Sequence, residues 1–337
     1  MAFERLGHLD LVIGETTLRS AVIDQPNGLA YFGTGTSPAK IVKVDLSDFT
    51  RKAVITGAGG QANALCAVLD QPNGIAYFGL EAADGIVFKI QLSDFTNIGT
   101  LDLAVAEDNP ASMVLDQPNG LFYIGLNKTY TNLVECKISD FSRVGTIELD
   151  YPSHYPVSAV IDQPNALAYF GLKRSPGRVH KINLVTATEA AMLTFETGEN
   201  DITACAIDLT NSFAYFCCAT IPTKIVKVNL ATFTRVGVLA LGDGEDSAQC
   251  ILLDEVNQQA YVATYTSPTT IVRIDLTSFT RAEAITLETG ENFNQAGIID
   301  QPNGLIYFSV ALNPARIIKF GAALTAGAHH MMIMGVD

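Results

Sequence analysis

The side chains best suited to chemistry in this chain are carboxylates that recur at a fixed spacing. Glu15, Glu107, Glu199, Glu245 and Glu291 share one column of a 46-residue repeat, and the other two copies carry Gln61 and Ser153 there. Asp108 and Asp246 follow one residue later, and Asp201 follows two residues after Glu199. Carboxylates gathered round one axis would form a ring able to hold a hard cation, because ions such as Ca²⁺ take several carboxylate oxygens. The competing reading is structural. GEN and GED are turn sequences whose acid bonds local or neighbouring backbone, and recurrence in five copies favours that role. No EF-hand spacing accompanies the acids.

A second constellation breaks the repeat. Where other copies carry the acidic loop, the third reads DYPSHYPVS, with Tyr151, His154 and Tyr155, and its other loop, NKTYTN, holds Tyr130. The facing loop of the next copy, LKRSPGR, adds Lys173 and Arg174. Aromatic faces beside hydrogen-bonding and cationic groups suit a sugar ring or a loop of a protein partner. Binding residues also concentrate on loops over rigid scaffolds. These six residues form the candidate binding site. The structural alternative is loop drift, with the tyrosines filling space against Pro152 and Pro156.

A third cluster is the C-terminal AGAHHMMIMGVD, residues 326–337. His329, His330, Met331, Met332 and Met334 are soft-metal ligand types, but a Met-rich segment more often packs into an irregular apolar groove. We therefore read it as a docking tail, through which the chain would self-associate or join an assembly, and assign no metal. Catalytic signatures are missing: the five histidines show no HExxH spacing, and there is no GxSxG, Walker loop or Rossmann fingerprint. GAGG at 57–60 lies between strands, so it opens no helix to cradle a phosphate.

The net charge of −14 argues against nucleic acid and anionic membranes as partners. MAFERLGHLDLVIGE shows no basic region followed by an apolar run, so no secretory signal is expected. No apolar stretch approaches the roughly 20 residues that span a bilayer. The expected setting is cytoplasmic or within a virion or other assembly. Cys66 and Cys250 share a column with Ser20, Ser112, Ser158, Ala204 and Ala296, which suggests small, buried, reduced side chains.

What must position these groups is legible in the repeat. Asp24, Asp70, Asp116, Asp162, Asp208, Asp254 and Asp300 stand 46 residues apart; an Asn follows each three residues on, and a Tyr four residues after that. Each copy reads as four short β-rich runs separated by turn chemistry, with no helical periodicity over three turns. DQPNG is a tight link between the first two strands, and its Asp and Asn can bond their own turn backbone. The third strand carries a basic column, Lys43, Lys89, Glu135, Lys181, Lys227, Arg273 and Lys319. Lys137 is read as the compensating charge for Glu135.

Seven unbroken four-stranded units predict an all-β, seven-bladed β-propeller over residues 1–325. FERLGHLDLVIGETTLRS aligns one period before FTRKAVITGAGGQANALC, so residues 1–16 are expected to supply the outer strand of the closing blade. At this point the chain resembles the bacterial YVTN-type propeller repeats within the broader WD40-like group. LAYFGTGTSPAKIVKVDLSDFTR carries the likeness, while the absence of Trp removes any Trp-Asp dipeptide and the Gly-Gly pair of kelch blades is missing. The resemblance implies a propeller and, commonly, a binding role.

The expected function is a non-catalytic binding or scaffold module, without a cofactor, presenting a channel-mouth face to a protein or glycan. A structural subunit of a large assembly is the first alternative. A lactonase-like metal-dependent hydrolase is the second. It would draw on the column of Asn63, Asn109 and Asp201, which Thr17, Tyr155, Ser247 and Phe293 interrupt.

Overall fold

The computed structural model describes residues 3–149 and 153–322. It is a seven-bladed β-propeller. Blade 1 comprises Leu18–Asp24, Leu29–Thr34, Lys40–Asp45 and Thr50–Thr56, hydrogen-bonded in that order as an antiparallel sheet. Blades 2 to 6 repeat the order. Blade 7 takes three strands from Gly297–Asp300, Leu305–Val310 and Arg316–Ala322, and its outer strand is Phe3–Asp10. The expected closure by the N-terminal segment is therefore present, with residues 11–17 forming the loop into blade 1 rather than more strand. Residues 326–337, and with them the proposed docking tail, lie outside the described residues, as does Tyr151.

Burial along a blade follows its sandwiching between neighbours. The second strand, LAYFGT in blade 1, is buried on both faces because a blade lies against each side. The outer strand, TRKAVIT, alternates between exposed and half-buried positions. Each DQPN-type link is held by its Asn, whose Nδ2 donates to the Asp carboxylate at 2.7–2.9 Å in all seven copies. The residue after the Asn is left-handed, as at Gly28 (φ 62°), a conformation that costs a residue with Cβ more than glycine. The recurring Asp is a turn residue.

The Tyr and basic columns are one structure. Tyr31 stands opposite Lys43 in the sheet, and the pairing recurs in every blade. A Phe from the next blade then closes over both. Phe95 of blade 2 lies 5.5 Å from the Tyr31 ring and 5.6 Å from the Lys43 ammonium. Phe141, Phe233, Phe279 and Phe49 take the same place over Lys89, Lys181, Lys227 and Lys319 at 5.4–5.6 Å. Each link joins two blades by an aromatic contact and a cation–π contact.

The blade 6–7 junction keeps the ring contact, Phe3 on Tyr261, while Arg273 turns to Glu283; the blade 3–4 junction lacks both ring and cation, and the compensating role read for Lys137 needs correction. Lys137 does not stand in for the missing base: its exposed ammonium reaches only Asp140, at 4.0 Å. The true partner change is across the junction, where Ala187 of blade 4 replaces the Phe that would cover Tyr123 and Glu135. Losing the ring and the cation together is what a cation–π pair requires. Restoring both, with Glu135→Lys and Ala187→Phe, should produce a coupling of about 1 kcal/mol in a double-mutant cycle read by urea unfolding. Additive single effects would show that the ammonium and the ring do not interact.

Candidate binding face at the channel mouth

The loops leading into each inner strand meet the loops between second and third strands at one end of the central channel. The acidic column lies here, but its carboxylates are occupied. Glu199 is 3% exposed; its carboxylate accepts from the backbone N–H of Glu196 at 3.0 Å and from Arg235 Nε at 3.0 Å. Arg235 sits on the outer strand of the same blade. Glu15 pairs likewise with Arg51, Glu107 with Arg143, Glu245 with Arg281, and Glu291 with both Arg5 and Arg316. The candidate cation ring of Glu15, Glu107, Glu199, Glu245 and Glu291 is thus a set of ion pairs in which a buried or, at Glu107, part-buried carboxylate is held by a part-exposed arginine. Among the described residues no group of three or more His, Cys, Asp or Glu is placed to hold a metal ion.

Burial raises the carboxyl pKa of Glu107 and Glu245, but the guanidinium and the turn N–H outweigh it, so both are held below the usual carboxylate range. The backbone carbonyl of the same residue takes an N–H from the preceding blade, as in Thr223 N to Glu245 O at 3.0 Å. One residue type therefore caps its turn, pins its outer strand and ties two blades. The cysteines are inert by comparison. Cys66 donates to Pro110 O of the next blade at 3.3 Å, as Ser20 does to Ala64 O at 2.8 Å, and burial pushes its thiol up to about 12.

The groups that do face the channel come from a column the sequence reading passed over. The inner strands of blades 1, 3, 4 and 5 each skip one residue of register on entering the sheet, at Arg19, Ala111, Val157 and Thr203. A bulge re-aims the extra side chain, and all four line a cavity of about 400 Å³ at the mouth. Leu65, Gln249 and Gln295 complete the ring from the other blades. Above it, Asn127, Lys173 and Tyr265 reach the same cavity from the loops between second and third strands. Variety within the column was the available signal. Seven equivalent positions carry six residue types, where the columns that hold the blades are nearly uniform.

The loop residue two places before each of these channel-lining positions is left-handed in all seven blades. Thr17, Asn63, Asn109, Tyr155, Asp201, Ser247 and Phe293 have φ between 39° and 57°. The cause lies in the bonding: Asp201 N donates to Arg174 O of the preceding blade at 2.7 Å, and Asp201 O accepts from Ala219 N of its own blade at 2.9 Å. Tyr155 is bonded in the same two-sided way, from its N–H to Lys128 O and from Lys173 N to its C=O. The column of Asn63, Asn109 and Asp201 is thus a set of left-handed loop positions, a conformation that Asn and Asp tolerate better than most residues.

Of the six residues predicted to bind, the described segments converge. Thr129–Thr131, which contains Tyr130, pairs with Ser153–His154 as a two-stranded sheet bridging blades 3 and 4. Tyr155 N donates to Lys128 O at 3.1 Å, and Lys173 N to Tyr155 O at 3.0 Å. Arg174 follows on the same loop. Among the described side chains of Tyr155, Lys173 and Arg174, that of Lys173 lines the cavity. The same junction departs from the repeat underneath as well. Ser153 and Glu189 stand where five other blades keep their Glu–Arg pair (blade 2 carries Gln61 and Asn97), and Glu189 instead bonds the buried His180 Nδ1 at 2.7 Å.

The channel's opposite end differs in kind. There Leu69, Leu115, Ile161 and Ile207 line a more apolar cavity of about 590 Å³, and their column is Ile or Leu in every blade. The polar groups of that lining, Asp70, Gln71, Gln117 and Gln163, belong to the repeated turn sequences and not to a column that varies from blade to blade. Among the described residues no helix is long and apolar enough to cross a membrane. Compared with known proteins, the chain matches no family model and no curated protein sequence.

Proposed function

We propose that the protein is a non-catalytic binding module whose ligand, a glycan or a loop of a protein partner, docks on the channel-mouth face. The observation that carries this reading is where the seven copies differ. Residues that hold blades together repeat, whereas those at the mouth run through Arg, Leu, Ala, Val, Thr and Gln in one ring, and Gly, Glu, Asn, Lys, Ala and Tyr in the next. Packing alone imposes the same demand on all seven positions, so it gives no reason for this divergence. An asymmetric ligand does. The departure of the blade 3–4 junction from the repeat supports a bias of the face toward that junction. A place among YVTN-type propellers is part of the same proposal and is supported by the repeat residues.

The test is binding to displayed glycans and protein partners by the full chain and three variants. Tyr155→Ala and Lys173→Ala should each weaken capture about tenfold with an unchanged melting temperature. Val185→Ser, at an exposed turn on the opposite face, should have no effect. Equal loss in all three, or loss in Val185→Ser alone, would remove the mouth from consideration.

A further inference from the structure

Arg19 is unlike the arginines that hold the acidic column. Arg51, Arg143, Arg235, Arg281 and Arg316 all end on a carboxylate. The Arg19 side chain makes no hydrogen bond or ion pair with any described residue, and its Nε is buried without a partner. Its position is nevertheless built. The bulge aims it at the channel, and a Cβ on Gly35 would come within 2.7 Å of its Nε, so the glycine leaves room for the guanidinium. Gly35 stands where other blades carry Glu81, Asn127, Lys173, Ala219, Tyr265 and Ala311.

Lys173 reaches the same cavity from blade 4, exposed and with no side-chain partner among the described residues. The described lining thus holds two cations and no carboxylate, in a chain of net charge −14. Nearby acids are engaged or set aside. Glu81 accepts from Asn63 Nδ2 at 2.6 Å, Asp108 pairs with Lys128 at 2.8 Å, and Asp201 and Asp246 lie outside the lining. The rest of the lining is suited to hydroxyls and to a flat face. Asn127, Gln249 and Gln295 present amides, and the Gln295 Oε1 is buried without a partner. Tyr265, 38% exposed, packs its ring 4.9 Å from that of Phe293, forming an aromatic surface at the rim.

We infer that the mouth takes a small acidic carbohydrate, with its carboxylate held between Arg19 and Lys173 and its ring against Tyr265. The inference rests on the binding-module reading above and narrows it. A guanidinium binds a carboxylate through two parallel hydrogen bonds, and an ammonium adds a point charge. Aromatic faces receive the C–H face of a sugar while amides bond its hydroxyls. Arg19 is the group this reading explains and packing does not, because a buried donor left without a partner calls for a ligand or water.

Calorimetric titration of the full chain with glucuronate, a short oligouronide, glucose and inorganic phosphate tests it. The uronates should bind, with glucose and phosphate each weaker by about tenfold or more. Arg19→Gln and Lys173→Gln should each weaken uronate binding about tenfold, and neither should lower the melting temperature, because neither side chain has a partner to lose among the described residues. Glucose binding as tightly as glucuronate, or indifference to Arg19, would overturn the assignment. Phosphate binding as tightly as glucuronate would overturn the carbohydrate part. If no uronate binds while Tyr155→Ala still releases another glycan or protein, the acidic-sugar inference fails and the binding face stands.

Discussion

Deleting residues 1–10 should abolish cooperative folding of the ring. Phe3 is 8% exposed, with its ring 4.8 Å from Tyr261 and 5.1 Å from Phe320. It occupies the place that Phe95 and its equivalents hold at other junctions, so the deletion removes a blade's outer strand and an interblade link together. Removing one buried Phe costs about 3–5 kcal/mol. Adding the strand pairing and the Arg5–Glu291 contact brings the loss to roughly 5 kcal/mol or more, comparable with the stability of an ordinary domain. The unpaired edge at Arg316–Ala322 would also invite association. Urea unfolding followed by circular dichroism reads the effect, and a peptide of residues 1–16 supplied in trans should restore the transition. An unchanged midpoint in the truncated chain would show that this strand closes nothing.

Glu291→Gln should be the most damaging single change among the five acids. Its carboxylate is 2% exposed and receives Arg5 at 2.7 Å and Arg316 at 2.9 Å, which joins the N-terminal strand to the blade it completes. Removing one partner of a buried pair costs about 3–5 kcal/mol, and because both arginines are about one-fifth exposed the lower end, near 3 kcal/mol, is expected. Glu245→Gln faces a single arginine that is 40% exposed and should cost only about 1 kcal/mol. The order of the two variants in urea midpoint is the check.

The pH dependence has a defined sign. Burial raises the Glu291 carboxyl, but Arg316, Arg5 and the Glu288 N–H outweigh it, so its pKa lies below the ordinary 4.5. A depressed acid gives stability that is fully present above 4.5 and is lost as pH falls through the folded value. The gap between wild type and Glu291→Gln should therefore be constant near neutrality and narrow only in acid. A gap that closed above pH 5 would mean that the arginines are not what the carboxylate serves.

Much of this protein was readable from residue types alone. The period, the turn at Asp24–Asn27, the four-stranded unit and the closure by the N-terminal segment all rest on local chemistry repeated seven times. Repetition reports each local preference again and again, and a blade's internal contacts lie within one period. The structural role of Glu199 and its equivalents was also within reach as a turn signal. Its arginine partner was not, because that partner lies 36 residues downstream, on the far strand of the blade.

Tertiary structure decided what lies across a junction or on the axis. The exchange of Lys and Phe for Glu135 and Ala187 makes sense only once blade 4 is seen closing over blade 3. Arg19 looks like any basic residue at a strand start until the bulge turns it inward and Gly35 makes room for it. Tyr155 and Lys173 read in sequence only as loop residues, yet the backbone bonds between adjacent blades are what bring their loops together. By itself the sequence determined the blade and the number of blades, since both follow from contacts within one repeat. Which side chains meet at the channel mouth was decided only by closing the ring, because that places residues from seven separate repeats around one axis.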